Sequence, residues 1–162
     1  MVQRLEMLNR TLDLKLAGEA DTAALGASLA THARPGDVIA LYGDLGAGKT
    51  TLARALIRRL AGPDTEAPSP TFTLVQTYRT ARLAIWHFDL YRLESPGEAR
   101  ELGMDEAVDG LCLIEWPERL GRYLPSPRLE VRLSFDGGGR IARLADLHDW
   151  SSRLDGDWRP TQ

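Results

Sequence analysis

The chain has 162 residues, 43% hydrophobic and 27% charged, with a net charge of −3 and a pI near 5.6. That length suits one domain able to bury its own core, and the acidic balance excludes a protein that grips nucleic acid through bulk charge. No apolar run approaches the roughly 18 residues of a membrane-spanning helix, and the single cysteine, Cys112, excludes a disulfide within the chain.

Residues 1–10 mix charges with apolar residues and contain no continuous hydrophobic stretch followed by a small-residue cleavage site. No signal peptide is read there, and the cytoplasm is the expected location. Residues 11–16 alternate like a strand, and 19–33 place Leu25, Leu29 and several alanines at helical spacing before Pro35-Gly36. Residues 38–42 are a short apolar run of the buried-strand kind. Residues 48–60 then carry Leu52, Ala55, Leu56 and Leu60 on one helical stripe.

A proline-rich loop over 63–70 leads to a hairpin of 73–78 and 82–88 that turns near Thr80, with Asp89 just past its second strand. Ser95-Pro96-Gly97-Glu98 is a helix start and Gly103 a stop. Residues 111–114, which include Cys112 as a small buried hydrophobe, form another buried strand ended by Glu115. Residues 129–135 and 140–145 alternate around Asp136-Gly137-Gly138-Gly139, a second hairpin. Trp150, Leu154 and Trp158 are spaced for a short amphipathic helix in a tail that is otherwise free to fray.

Gly43-Asp44-Leu45-Gly46-Ala47-Gly48-Lys49-Thr50 fits the Walker A pattern and stands between a buried strand and a helix, the context its mechanism requires. Phosphate must be met by several backbone N–H groups at close range, which glycines allow by adopting positive φ and keeping side chains away. Lys49 then reaches the β and γ phosphates, and Thr50 offers its hydroxyl to Mg²⁺. Of the 20 basic residues only Lys15 and Lys49 are lysine, so a lysine at this place stands out against an arginine-rich background. A hydrolysing site also needs carboxylates near Mg²⁺ and the attacking water. Asp89 and Glu115, both at strand ends, compete for these roles. Thr71 and Thr73 follow the loop after the Walker helix, where many NTPases keep a segment that senses the γ phosphate; the competing reading is a turn that feeds a strand. His87 receives no role, being on an alternating strand where histidines are usually packing residues. Trp116 fits either core packing or a ring that closes the site. GTP is disfavoured, because an Asn-Lys-x-Asp base-binding segment would need an asparagine other than Asn9.

Four motifs in order resemble the bacterial TsaE (YjeE) family. They are residues 43–51, residues 69–75 (Ser-Pro-Thr-Phe-Thr-Leu-Val), residues 87–93 (His-Phe-Asp-Leu-Tyr-Arg-Leu) and residues 115–118 (Glu-Trp-Pro-Glu). The likeness extends over roughly residues 10–145. It implies an ATPase of tRNA threonylcarbamoyladenosine biosynthesis, which modifies adenosine 37 of tRNAs reading codons that begin with A. By this resemblance Thr50 and Glu115 hold Mg²⁺, Asp89 positions or activates the attacking water, and Thr71 with Thr73 belongs to a switch-like loop. Thr51 continues the phosphate loop, while Glu19, Thr22 and Arg140 border the adenine pocket. The partners implied are a TsaD-like threonylcarbamoyl transferase and its TsaB-like paralogue. The tRNA is reached only through them, and no membrane is involved.

Two rivals compete with this reading. A small-molecule kinase would need an acceptor pocket and an arginine-bearing lid, whereas Arg54, Arg58 and Arg59 sit on the Walker helix as a solvated face. A nucleotide-dependent adaptor would bind ATP but hydrolyse little of it. The expected fold is a three-layer α/β P-loop NTPase-like domain over residues 1–145. It has a mixed sheet with antiparallel hairpin additions, and residues 146–162 form a C-terminal extension.

Overall fold

A computed structural model describes residues 11–145 and 149–154. Seven strands form one mixed sheet: β1 (Leu12–Leu16), β2 (Val38–Tyr42), β3 (Val75–Arg79), β4 (Ala84–Asp89), β5 (Leu111–Glu115), β6 (Leu129–Asp136) and β7 (Gly139–Ala145). The helices are α1 (Glu19–His32), α2 (Lys49–Ala61) and the single turns α3 (Glu98–Glu101) and α4 (Trp150–Arg153). The 3₁₀ turns Ala107–Asp109 and Pro117–Tyr123 flank β5.

The strand order is β1-β7-β6-β2-β5-β4-β3. β2 lies at the centre, parallel to β5 on one side and β6 on the other, and β4 runs parallel to β5. The antiparallel pairs β6–β7, β7–β1 and β4–β3 complete the two flanks. The alternation of side chains explains why the parallel strands read as unbroken apolar runs. Ile39, Leu41, Leu111 and Leu113 face one core with Leu25, Leu29, Leu52, Leu56 and Ile57 from α1 and α2. Val38, Cys112, Ile114 and Phe88 face a second core under Ala99, Met104, Ala107 and Leu120. A sheet covered on both sides must be apolar at every position of its central strands. These are the three layers expected from the sequence.

The helix pair α1 and α2 touches backbone to backbone. A Cβ at Gly26 would overlap the Leu52 carbonyl oxygen and lie 3.2 Å from the Ala55 Cβ, so only glycine permits this approach. The buried stripe of α2 runs through Leu52, Ala53, Leu56 and Ile57; Ala55 and Leu60 are only partly buried, which shifts the face read from the sequence. Two other elements differ from expectation, while the short helix expected between Ser95 and Gly103 is present. β3 begins at Val75 because Leu74 turns the chain at φ 67°. Asp89 is the last residue of β4 rather than a residue beyond it. The helix after Ser95 lasts one turn, with the Glu98 carboxylate accepting from the Ser95 N–H at 2.9 Å.

Of the expected C-terminal amphipathic segment, α4 packs Trp150 and Leu154 into the core beneath α1 and α2. Arg153 fastens it by donating to both carboxylate oxygens of Asp37, at 2.6 and 3.1 Å, and to Asp149 at 2.8 Å. Trp158, and the N-terminal stretch read for a targeting signal, lie outside the described residues.

Candidate functional site

The carboxyl ends of β2, β5 and β4 come together because their register is parallel: Leu41 pairs with Glu115, and Glu115 with Asp89. Open α/β sheets place ligands at this edge, next to a change in strand order. Here the loop from β2 to α2 rises over it. Gly43, Gly46 and Gly48 take φ values of 151°, 82° and 113°. At Gly43 a Cβ would also stand 2.8 Å from the Leu133 carbonyl oxygen and 3.1 Å from the Ala47 Cβ. The loop is therefore shaped by residues that only glycine can occupy, and it delivers the N-terminus of α2 to the cleft.

Lys49 opens α2 and is buried. Its Nζ donates to the carbonyls of Gly43 and Asp44, the second at 3.0 Å, and lies 4.3 Å from the centre of the Trp116 ring. Burial lowers the ammonium pKa below its ordinary value, against the opposing charges of Glu115, Glu118, Asp89 and Asp44. Trp116 reaches this position from a left-handed backbone at φ 58°, and its ring packs on Tyr91 at 4.9 Å.

Thr50 Oγ1 donates to Glu115 Oε1 at 3.0 Å, so the helix and β5 each bring one oxygen donor to the same point. Among the described residues no three His, Cys, Asp or Glu side chains gather into a metal cage. Two hard oxygen donors beside a glycine loop of the Walker A pattern fit Mg²⁺, which commonly keeps several waters and takes its remaining ligands from substrate phosphates. Asp89 occupies a separate corner. Its Oδ2 accepts from Ser69 Oγ at 3.1 Å and Thr71 Oγ1 at 3.2 Å, and its Oδ1 from the Tyr91 N–H at 3.1 Å.

Two adjoining hollows share Gly46, Gly48 and Thr51. The one of about 220 Å³ holds Leu45, Lys49, Thr50, Thr71, Asp89, Glu115 and Trp116. The one of about 250 Å³ is bounded by Glu19, Thr22, Ala47 and Arg140, with Gly18, Gly138 and Gly139. Arg140 also donates to the Gly46 carbonyl at 3.3 Å, tying the β6–β7 hairpin to the loop.

The structure thus gathers nearly all the residues singled out in the sequence, and leaves Thr73 outside. Thr73 is exposed and accepts from Gln76 at 3.1 Å, because the turn at Leu74 directs it away from the cleft. Ser69 takes a place beside Asp89 that the sequence reading did not give it. His87 was missed as well. It is 1% exposed, and its Nε2 lies 2.7 Å from Glu115 Oε2.

A mixed sheet with a glycine loop opening a helix at its central strand defines a P-loop NTPase-like α/β domain. The family model described as "Threonylcarbamoyl adenosine biosynthesis protein TsaE" matches residues 16–142. A Rickettsia felis protein named "tRNA threonylcarbamoyladenosine biosynthesis protein TsaE" is 44% identical over 144 residues, covering 88% of this chain and 84% of its own. A Bacillus subtilis protein of the same name is 41% identical over 113 residues, 68% and 70% of the two chains. The crystal structure of Bacillus subtilis YdiB superposes with a TM-score of 0.74 at 30% identity, covering 91% of this chain and 93% of that one. The chain belongs to the TsaE family.

Proposed function

We propose that this protein binds Mg²⁺–ATP in the two-part cleft and hydrolyses it in support of tRNA threonylcarbamoylation. It acts with a TsaD-like transferase and its TsaB-like paralogue in the cytoplasm. The observation that carries this reading is the convergence of Lys49, Thr50, Asp89 and Glu115 at the carboxyl edge of the sheet, in a chain of this family. The relatives' names supply the pathway, and the net charge of −3 accords with tRNA being held mainly by partners.

The loop amides and the positive end of α2 cradle the phosphates. Lys49 exchanges the Gly43 and Asp44 carbonyls for phosphate oxygens. Thr50 and Glu115 hold the cation, which when bound neutralises charge developing on the transferring phosphoryl oxygens. Asp89, tethered to Ser69 and Thr71, orients the attacking water and couples the presence of the γ phosphate to the 69–73 segment. Glu19, Thr22 and Arg140 border the adenine end. The test is binding of a fluorescent ADP analogue competed by ATP and by GTP. ATP should compete far better than GTP, and Lys49→Ala should lose binding; equal competition by both nucleotides would count against the adenine assignment, and undiminished binding by the variant against the site.

A further inference from the structure

Glu115 is 2% exposed, and among the described residues each of its carboxylate oxygens has one partner: Oε1 accepts from Thr50, and Oε2 lies 2.7 Å from His87 Nε2. Parallel pairing sets His87 opposite Leu113 and Asp89 opposite Glu115, so His87, Asp89 and Glu115 share the sheet face beneath α2. An ionised carboxylate only accepts, so Nε2 is the protonated nitrogen of this contact. The other ring nitrogen, Nδ1, is buried with no hydrogen-bond partner among the described residues. A buried polar atom left without a partner costs free energy, and Ile85, the neighbour of His87 on its own face of β4, and Leu113, its partner on β5, both belong to the apolar core beneath α2. An apolar side chain would suit that place better for folding alone. The contact with Glu115 is what the histidine supplies.

We infer that His87 is a positioning residue which holds Oε2 of Glu115 so that Oε1 stays turned toward Thr50 and the divalent cation. This rests on the Mg²⁺–ATP reading above. Without the His87 donor, Oε2 would be buried and unpartnered, and the carboxylate would rotate to seek another. Groups that hold a ligand from behind commonly contribute about 10- to 100-fold to metal affinity.

The test titrates MgCl₂ against the affinity of the 162-residue chain for a fluorescent ADP analogue, with a parallel measurement in EDTA. His87→Leu should raise the Mg²⁺ needed for half-maximal effect by about tenfold or more, with affinity in EDTA unchanged. His87→Gln, whose amide N–H reaches the Nε2 position, should restore most of the difference. His87→Asn, whose amide ends near the Nδ1 position, should not. Should His87→Leu fail to fold, the Gln and Asn variants give the same comparison. An unaltered Mg²⁺ dependence in folded Leu or Asn variants overturns the inference. So does an equal loss of affinity in EDTA and in Mg²⁺, which would mark a purely structural role. A wild-type chain that binds nucleotide without any Mg²⁺ effect would instead overturn the underlying cation assignment.

Discussion

Gly26→Ala tests how the packing of α1 on α2 supports the cleft. Alanine is the better helix former by about 1 kcal/mol, so helix propensity alone would make the variant more stable. The added Cβ, however, overlaps the Leu52 carbonyl oxygen and sits 3.2 Å from Ala55. A backbone atom cannot rotate aside as a side-chain tip can, which places the overpacking cost at the upper end of about 1–3 kcal/mol. The net expectation is a loss of about 1–2 kcal/mol, lowering Tm by about 2–8 °C for a chain of this size. Because α1 also carries Glu19 and Thr22 into the cleft, its displacement should weaken nucleotide binding too. Gly97→Ala is the control: nothing lies within 4 Å of its Cβ position and its φ is −64°, so a gain of about 0.4–1 kcal/mol is expected. Thermal and urea unfolding of the two variants beside the wild type measure the difference. A Gly26→Ala protein as stable as Gly97→Ala would refute the close-contact reasoning.

Cys112 is buried, and burial pushes its thiol pKa up to about 12, so a thiol reagent at neutral pH should modify it only on unfolding; rapid reaction of the native chain would contradict the burial. Arg153→Ala should cost about 2–4 kcal/mol in urea unfolding by leaving the largely buried Asp37 carboxylate without its cation, and a loss under about 0.5 kcal/mol would show that α4 adds little. Burial opposes ionisation of Glu130, but bonds from Arg132 and Arg128 outweigh it and hold the carboxyl below its ordinary value of 4.5. Its contribution to stability is therefore complete above pH 4.5 and lost as the pH falls through the lower folded value. Arg128→Ala with Arg132→Ala should flatten the acid limb of the stability curve, whereas an unchanged limb would refute the linkage. Thr50→Val should leave nucleotide binding in EDTA intact and abolish its enhancement by Mg²⁺; enhancement retained in full would remove Thr50 from the cation site.

The strand, glycine loop and helix were readable because each signal is local: an apolar run, a fixed motif and a helical stripe within about 25 residues. The turn at Gly137-Gly138 was readable for the same reason. What escaped depends on pairing between distant segments. Nothing in residues 38–42 says that β6 will lie on one side and β5 on the other. His87 meets Glu115 only through the β4–β5 pairing, 28 residues along the chain, so on its own strand it looked like a packing residue. Gly138 and Gly139 read as turn glycines, and only the fold brings them to the hollow bounded by Glu19, Thr22 and Arg140. Thr73 was misplaced because a non-glycine residue, Leu74, adopts a left-handed turn that no composition signal announces.

The central claim is most directly tested by measuring ATP hydrolysis by this protein alone and with its cognate TsaB and TsaD proteins, with Lys49→Ala as the control for contaminating activity. Slow turnover alone, strongly stimulated by the two partners and lost in the variant, is the expected result. Activity indifferent to the partners but responsive to a small phosphoryl acceptor would contradict the account and make the protein a kinase.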